Sequence, residues 1–142
     1  MDTTTLRAAA RLTLARLTSV CLVLALAAAG AWFAWLGWDD EYYLVDGVAQ
    51  GPYRPWQVVA CGLTVVLAAL VAQRFARGGS AVPALAVAAT VGFAVPWSVD
   101  AASTDDSGLW VVGLVMLLVG SSVGLTVVLA VGEAVGSRRK AS

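Results

Sequence analysis

Four long apolar runs restrict this chain more than any motif in it. About 20 apolar residues wound as an α-helix, at ~1.5 Å each, cross the ~30 Å hydrocarbon core of a bilayer. Runs of that length recur over 12–36, 56–76, 81–99 and 109–134, and the charged residues lie between them or at their edges. In lipid a backbone must satisfy its own polar groups, so each run is expected to be a helix. The expected fold is all-α: an integral membrane four-helix bundle of up-down topology, one domain over the whole chain. A content of 60% hydrophobic and 13% charged residues agrees, since it lies outside the range of soluble globular chains.

A cleaved leader competes for the first run. Arg16 precedes an apolar stretch, and Ala27-Ala28-Ala29 offers small residues for cleavage. The stretch continues through Trp32, Phe33, Trp35 and Leu36, past the ~7–15 apolar residues of a leader, so a retained span is expected. In the third run, Pro83 falls in a first turn, where proline is tolerated, behind Ser80 as an N-cap. Pro96 should kink or end that run, leaving 100–108 as a loop from which Asp105, Asp106 and Ser107 can cap the fourth helix. Gly78-Gly79-Ser80 is short enough to make the second and third helices antiparallel neighbours.

The charges are sorted. Arg7, Arg11, Arg16, Arg74, Arg77, Arg138, Arg139 and Lys140 flank the runs on one side, and Arg54 alone falls on the other with Asp39, Asp40, Glu41, Asp46, Asp100, Asp105 and Asp106. The positive-inside rule then places both termini in the cytoplasm and the loops 37–55 and 100–108 outside a cell (plasma or inner) membrane. Arginine over lysine, with abundant Ala, Val, Gly and Leu, is expected of bacterial, high-GC coding. The basic side suits anionic headgroups, which makes the lipid bilayer the first partner.

The outer stretch from Trp38 to Gln57 has the most individual character. Tyr42 to Val45 is β-branched and aromatic, and Asp46-Gly47 is a strong two-residue turn signal, because a type I′ turn needs positive φ at both centres. The expected hairpin places Val45 opposite Val48 and Tyr43 opposite Gln50, and Pro55 opens the next helix. Trp38, Tyr42, Tyr43, Tyr53 and Trp56 are the candidate partner-binding residues, since Trp and Tyr are enriched at hot spots. An interfacial aromatic belt, which would include Trp35, accounts for the same residues without any partner.

Chemistry finds little purchase. The chain has no histidine, which removes histidine-ligated haem, the usual zinc sites and histidine acid–base catalysis. No ionisable residue lies near mid-span, where its cost would demand a role. Glu133 sits at the end of the fourth run beside Arg138 and Arg139 and reads as an interfacial acid. Cys21 and Cys61 fall ~10 Å apart along the bundle axis at ~1.5 Å per residue, beyond disulfide reach, and read as packing residues. Asp39, Asp40, Glu41, Asp100, Asp105 and Asp106 could gather around a hard cation, but their spacing matches no EF-hand and a solvated acidic rim explains them. No cofactor, no metal and no nucleic-acid partner is expected.

Gly113, Gly120 and Gly124 lie within about 40° of one another at ~100° per residue, a smooth stripe expected to face another helix. The layout resembles small four-span families, without their residues. Small multidrug transporters would want a Glu in the first span, fluoride channels a polar constellation and balanced loop charge, and quinone-linked disulfide enzymes paired cysteines. The expectation is a non-enzymatic accessory or scaffold subunit that meets a membrane-protein partner through 38–56, or self-associates. The alternative is a small oligomeric transporter or channel.

Overall fold

The computed structural model describes residues 2–39, 41–76 and 80–141, with side chains up to Arg138. Asp40, Arg77, Gly78 and Gly79 lie outside the described residues, as do the side chains of Arg139 and Lys140. Four helices, α1 (Thr3–Trp35), α2 (Pro55–Phe75), α3 (Ala81–Thr104) and α4 (Trp110–Ala141), carry most of the chain. A hairpin of β1 (Tyr43–Val45) and β2 (Val48–Gln50) stands between the first two. All four helices are long and apolar enough to cross a membrane.

α3 is the centre of the bundle, packed more extensively against α1 and α4 than against α2. Its inward face is small: Ala81, Ala86, Ala89, Gly92 and Ala94 are buried with Val82 and Leu85. Ala28 and Ala31 of α1 and Ala69 and Ala72 of α2 continue that pattern. Leu24, Trp32, Leu125 and Leu129 complete the core, while many other large side chains, Leu22, Leu26, Leu63, Leu67, Val95, Met116 and Val123 among them, are exposed. Small residues let helix backbones approach, and van der Waals contact then holds the bundle where no hydrophobic force drives helices together.

Three elements run further than the sequence pattern implies, and the first of them, α1, begins at Thr3, nine residues ahead of the expected run. α3 passes through Pro96 and ends at Thr104, so half of the expected 100–108 loop is helix. Pro96 removes one donor, the one that would reach the Gly92 carbonyl. The final turn is reinforced instead, because Ser103 Oγ and Thr104 Oγ1 donate to the Asp100 carbonyl at 2.7 and 3.0 Å. α4 carries its helix to Ala141, so the basic tail is helical, and Arg138 sits near a C-terminus whose dipole favours a cation. Ser80 holds the N-cap position of α3, but its backbone is already helical and its side chain makes no capping bond. The hydroxyl is then poorly aimed for the free amide groups ahead of it.

The glycine stripe is divided. A Cβ at Gly113 would stand 3.0 Å from the Trp97 ring, whereas Gly120 and Gly124 have nothing within 4 Å and are exposed. The expected helix contact is therefore not made at Gly120 and Gly124 by the described residues. A cleft of about 380 Å³ opens there between α2, α3 and α4, with Gly62, Val65, Thr90, Phe93, Ser121 and Gly124 on its walls. Further along, Gln73 Nε2 donates to the Leu129 carbonyl at 2.8 Å, and Leu70 and Gln73 cover Gly132. Those contacts draw α2 and α4 together at that level.

Candidate functional site

The hairpin forms in the expected register, with Tyr43 opposite Gln50, Leu44 opposite Ala49 and Val45 opposite Val48. Asp46 and Gly47 both take positive φ, 52° and 80°, as a type I′ turn requires. Cross-strand partners share a face and neighbours alternate. Tyr43, Val45, Val48 and Gln50 thus form one face, and Leu44 and Ala49 the other. Tyr43 is half-buried, with the Arg54 guanidinium 5.9 Å from its ring centre. Leu44 and Tyr42 are 73% and 71% exposed, a large apolar surface for a two-stranded ribbon.

A polar network fixes the base of this cap. Gln57, three residues into α2, is fully buried. Its Oε1 accepts from the Arg54 amide at 2.8 Å, and its Nε2 donates to Asp39 Oδ2 at 3.1 Å. The first bond satisfies a backbone donor that the α2 start leaves without a helical partner, and the second ties the exit of α1 to it. Arg54 Nε lies 3.9 Å from the same carboxylate oxygen, with the Arg54 side chain 50% exposed and that of Asp39 11% exposed. A long, half-solvated pair is worth under ~1 kcal/mol. The buried amide of Gln57 therefore does most to hold Asp39.

A second tie runs to α3. Tyr53 Oη donates to Asp100 Oδ2 at 3.1 Å, joining the segment before α2 to the α3 end. Nearby, Trp35 Nε1 donates to Thr64 Oγ1 at 3.1 Å, and the Trp35 ring meets Trp56 edge-on with centres 6.3 Å apart. Trp38 Nε1 donates to the Ala34 carbonyl at 2.8 Å. At the start of α4, Asp105 accepts from the Ser107 hydroxyl and amide and from the Trp110 amide, the last at 2.7 Å. The Ser107 hydroxyl, then the Ser107 and Trp110 amides, hold the Asp105 carboxyl below the usual carboxylate range.

The candidate partner-binding residues therefore separate into two groups. Tyr42, Trp38 and Trp56 are exposed, whereas Tyr43 and Tyr53 are half-buried and tied to Arg54 and Asp100. Leu44 and Val48, on opposite faces of the ribbon, join the exposed group unforeseen, because strand alternation alone does not say that the body of the protein leaves both faces open. Gln57 stands at the third position after Arg54, the spacing of a reciprocal cap, but Arg54 is not one of the residue types that mark such a cap in a sequence.

The acids do not converge. Asp39 turns to Gln57, Asp100 to Tyr53 and Asp105 to the α4 start, and no group of three or more metal-ligating side chains forms among the described residues. Cys21 and Cys61 are free thiols on α1 and α2. The chain matches no protein-family model, no curated protein and no solved structure.

Proposed function

We propose that this chain is a non-enzymatic subunit of a bacterial cell membrane, an accessory or scaffold protein that presents its hairpin cap to a membrane-protein partner. The four helices form an up-down bundle with both termini in the cytoplasm. The positive-inside rule supports that orientation, and exposed Leu and Val around all four helices support lipid as their solvent. One observation carries the partner reading. The cap is fixed at its base by Gln57, Asp39, Tyr53 and Asp100, while Tyr42 and Leu44, two residues apart on one face of the ribbon, stay exposed. A pre-ordered apolar patch loses little conformational freedom on binding.

Co-purification in mild detergent tests this reading. Tyr42→Ala with Leu44→Ser should remove a partner that the parent chain retains, and an unchanged set of companions rejects the cap as a docking surface. The exposure of Gly120 and Gly124 favours a second reading, an oligomeric transporter or channel assembled through α4. Saturable ion or solute flux in liposomes holding the pure protein would select it.

A further inference from the structure

Opposite the cap, α1 and α2 flank a second, open cavity whose two arginines are exposed. It measures about 600 Å³ and is lined by Leu12, Thr13, Arg16, Leu17, Arg74 and Phe75, with Ala76 at its edge. Two arginines from different helices thus face one space, and no acidic side chain among the described residues lines it. Neither arginine is in an ion pair among the described residues. Leu12, Leu17 and Phe75 supply apolar wall beside the charges.

Like charges gathered at the boundary of an apolar bundle call for an anion. Paired guanidinium groups suit phosphate oxygens, which they bind by charge-assisted, often bidentate hydrogen bonds. The apolar wall adds a requirement that free phosphate does not meet, a hydrocarbon chain continuous with the anion. The missing carboxylate adds another, because the amine of a zwitterionic headgroup would find no counter-charge. We infer that Arg16 and Arg74 form a binding site for the phosphate of an anionic glycerophospholipid, with an acyl chain against Leu17 and Phe75. This inference rests on the membrane embedding proposed above and is independent of the cap's partner.

Native mass spectrometry of the full chain from mixed micelles of phosphatidylglycerol, phosphatidylethanolamine and phosphatidylcholine tests it. One phosphatidylglycerol per chain should be retained over the zwitterionic lipids. Arg16→Gln and Arg74→Gln should each weaken retention about fivefold, the equivalent of ~1 kcal/mol per basic residue. Arg138→Gln, which removes a cation outside the cavity, should leave retention unchanged. Arg16→Lys keeps the charge without the fork and should fall between parent and Gln variant, which separates a binding effect from misfolding. Equal retention of the three lipids, or an equal loss with Arg138→Gln, overturns the site. Inorganic phosphate that protects the delipidated protein from heat as well as phosphatidylglycerol does would reassign it to a soluble anion and overturn the lipid. Release of the chain from membranes by alkaline carbonate would remove the embedding and the site together, whereas failed lipid selectivity in a carbonate-resistant chain removes the site alone.

Discussion

Gly92 of α3 lies so close to Ala25 of α1 that a Cβ on it would stand 2.2 Å from the Ala25 carbonyl oxygen and 2.6 Å from its Cα. Backbone meets backbone at this crossing, and no flexible side chain is there to give way. The central helix is seated on α1 through the absence of one side chain.

Gly92→Ala should therefore force α1 and α3 apart. Overpacking costs ~1–3 kcal/mol where neighbours can adjust, and the rigid backbone here places the expected loss at or above the upper end. Thermal unfolding in detergent should show a clear drop in Tm for Gly92→Ala. Gly124→Ala, at a position with nothing within 4 Å, should leave Tm within a degree or two of the parent. Equal effects from the two substitutions would contradict the close crossing.

Gln57→Leu should destabilise the cap more than the bundle. The substitution keeps bulk but strands the Arg54 amide and takes a hydrogen bond from Asp39, and an unmet buried polar group costs ~1–3 kcal/mol. Hydrogen exchange should rise across 41–54 and stay slow in the middle of α3. Exchange unchanged in the hairpin would show that Gln57 does not hold it.

Tyr53→Phe removes the hydroxyl that donates to Asp100. About 1 kcal/mol is expected for one such bond, and combining Tyr53→Phe with Asp100→Asn should cost little more than either alone. Fully additive losses would place the two residues in separate roles.

Asp105 gives a pH dependence with a definite sign. Its folded carboxyl is held below the ordinary carboxylate value by Ser107 and Trp110, so the charged form is favoured in the fold. Its contribution is present above the unfolded carboxylate pKa and is lost as pH falls through the lower, folded one. Asp105→Asn should flatten the acid limb of a Tm-against-pH curve, with little change near neutrality beyond the constant loss of the α4 cap. An unaltered acid limb would show that Asp105 is not the group titrating there.

Much of the local structure was legible because it follows from short-range rules. Asp46-Gly47 specifies the turn, and the turn specifies the pairing of Val45 with Val48. Apolar patterning does not give the α3 end, because Pro96, expected to kink or end the run, costs the helix one donor and the last turn, where the Ser103 and Thr104 hydroxyls bond the Asp100 carbonyl, is polar. The stripe of Gly113, Gly120 and Gly124 predicts a contact face, yet Gly92 supplies the tight crossing with α1. Glycine spacing shows where a close approach is allowed and does not say which neighbour uses it.

By itself the amino-acid order determined four helical runs, the sorting of basic from acidic links, and a hairpin with its register. Those properties depend on length, charge and turn chemistry within a few residues of one another. Only the tertiary structure decided that α3 is central, that Gln57 reaches back to Asp39, and that Arg16 and Arg74 look into one cavity. The reason is that these helices are apolar on every face. A soluble helix announces its buried side by contrast with a polar one, whereas here burial is chosen by side-chain size and by which backbones can touch, and those are relations between distant parts of the chain.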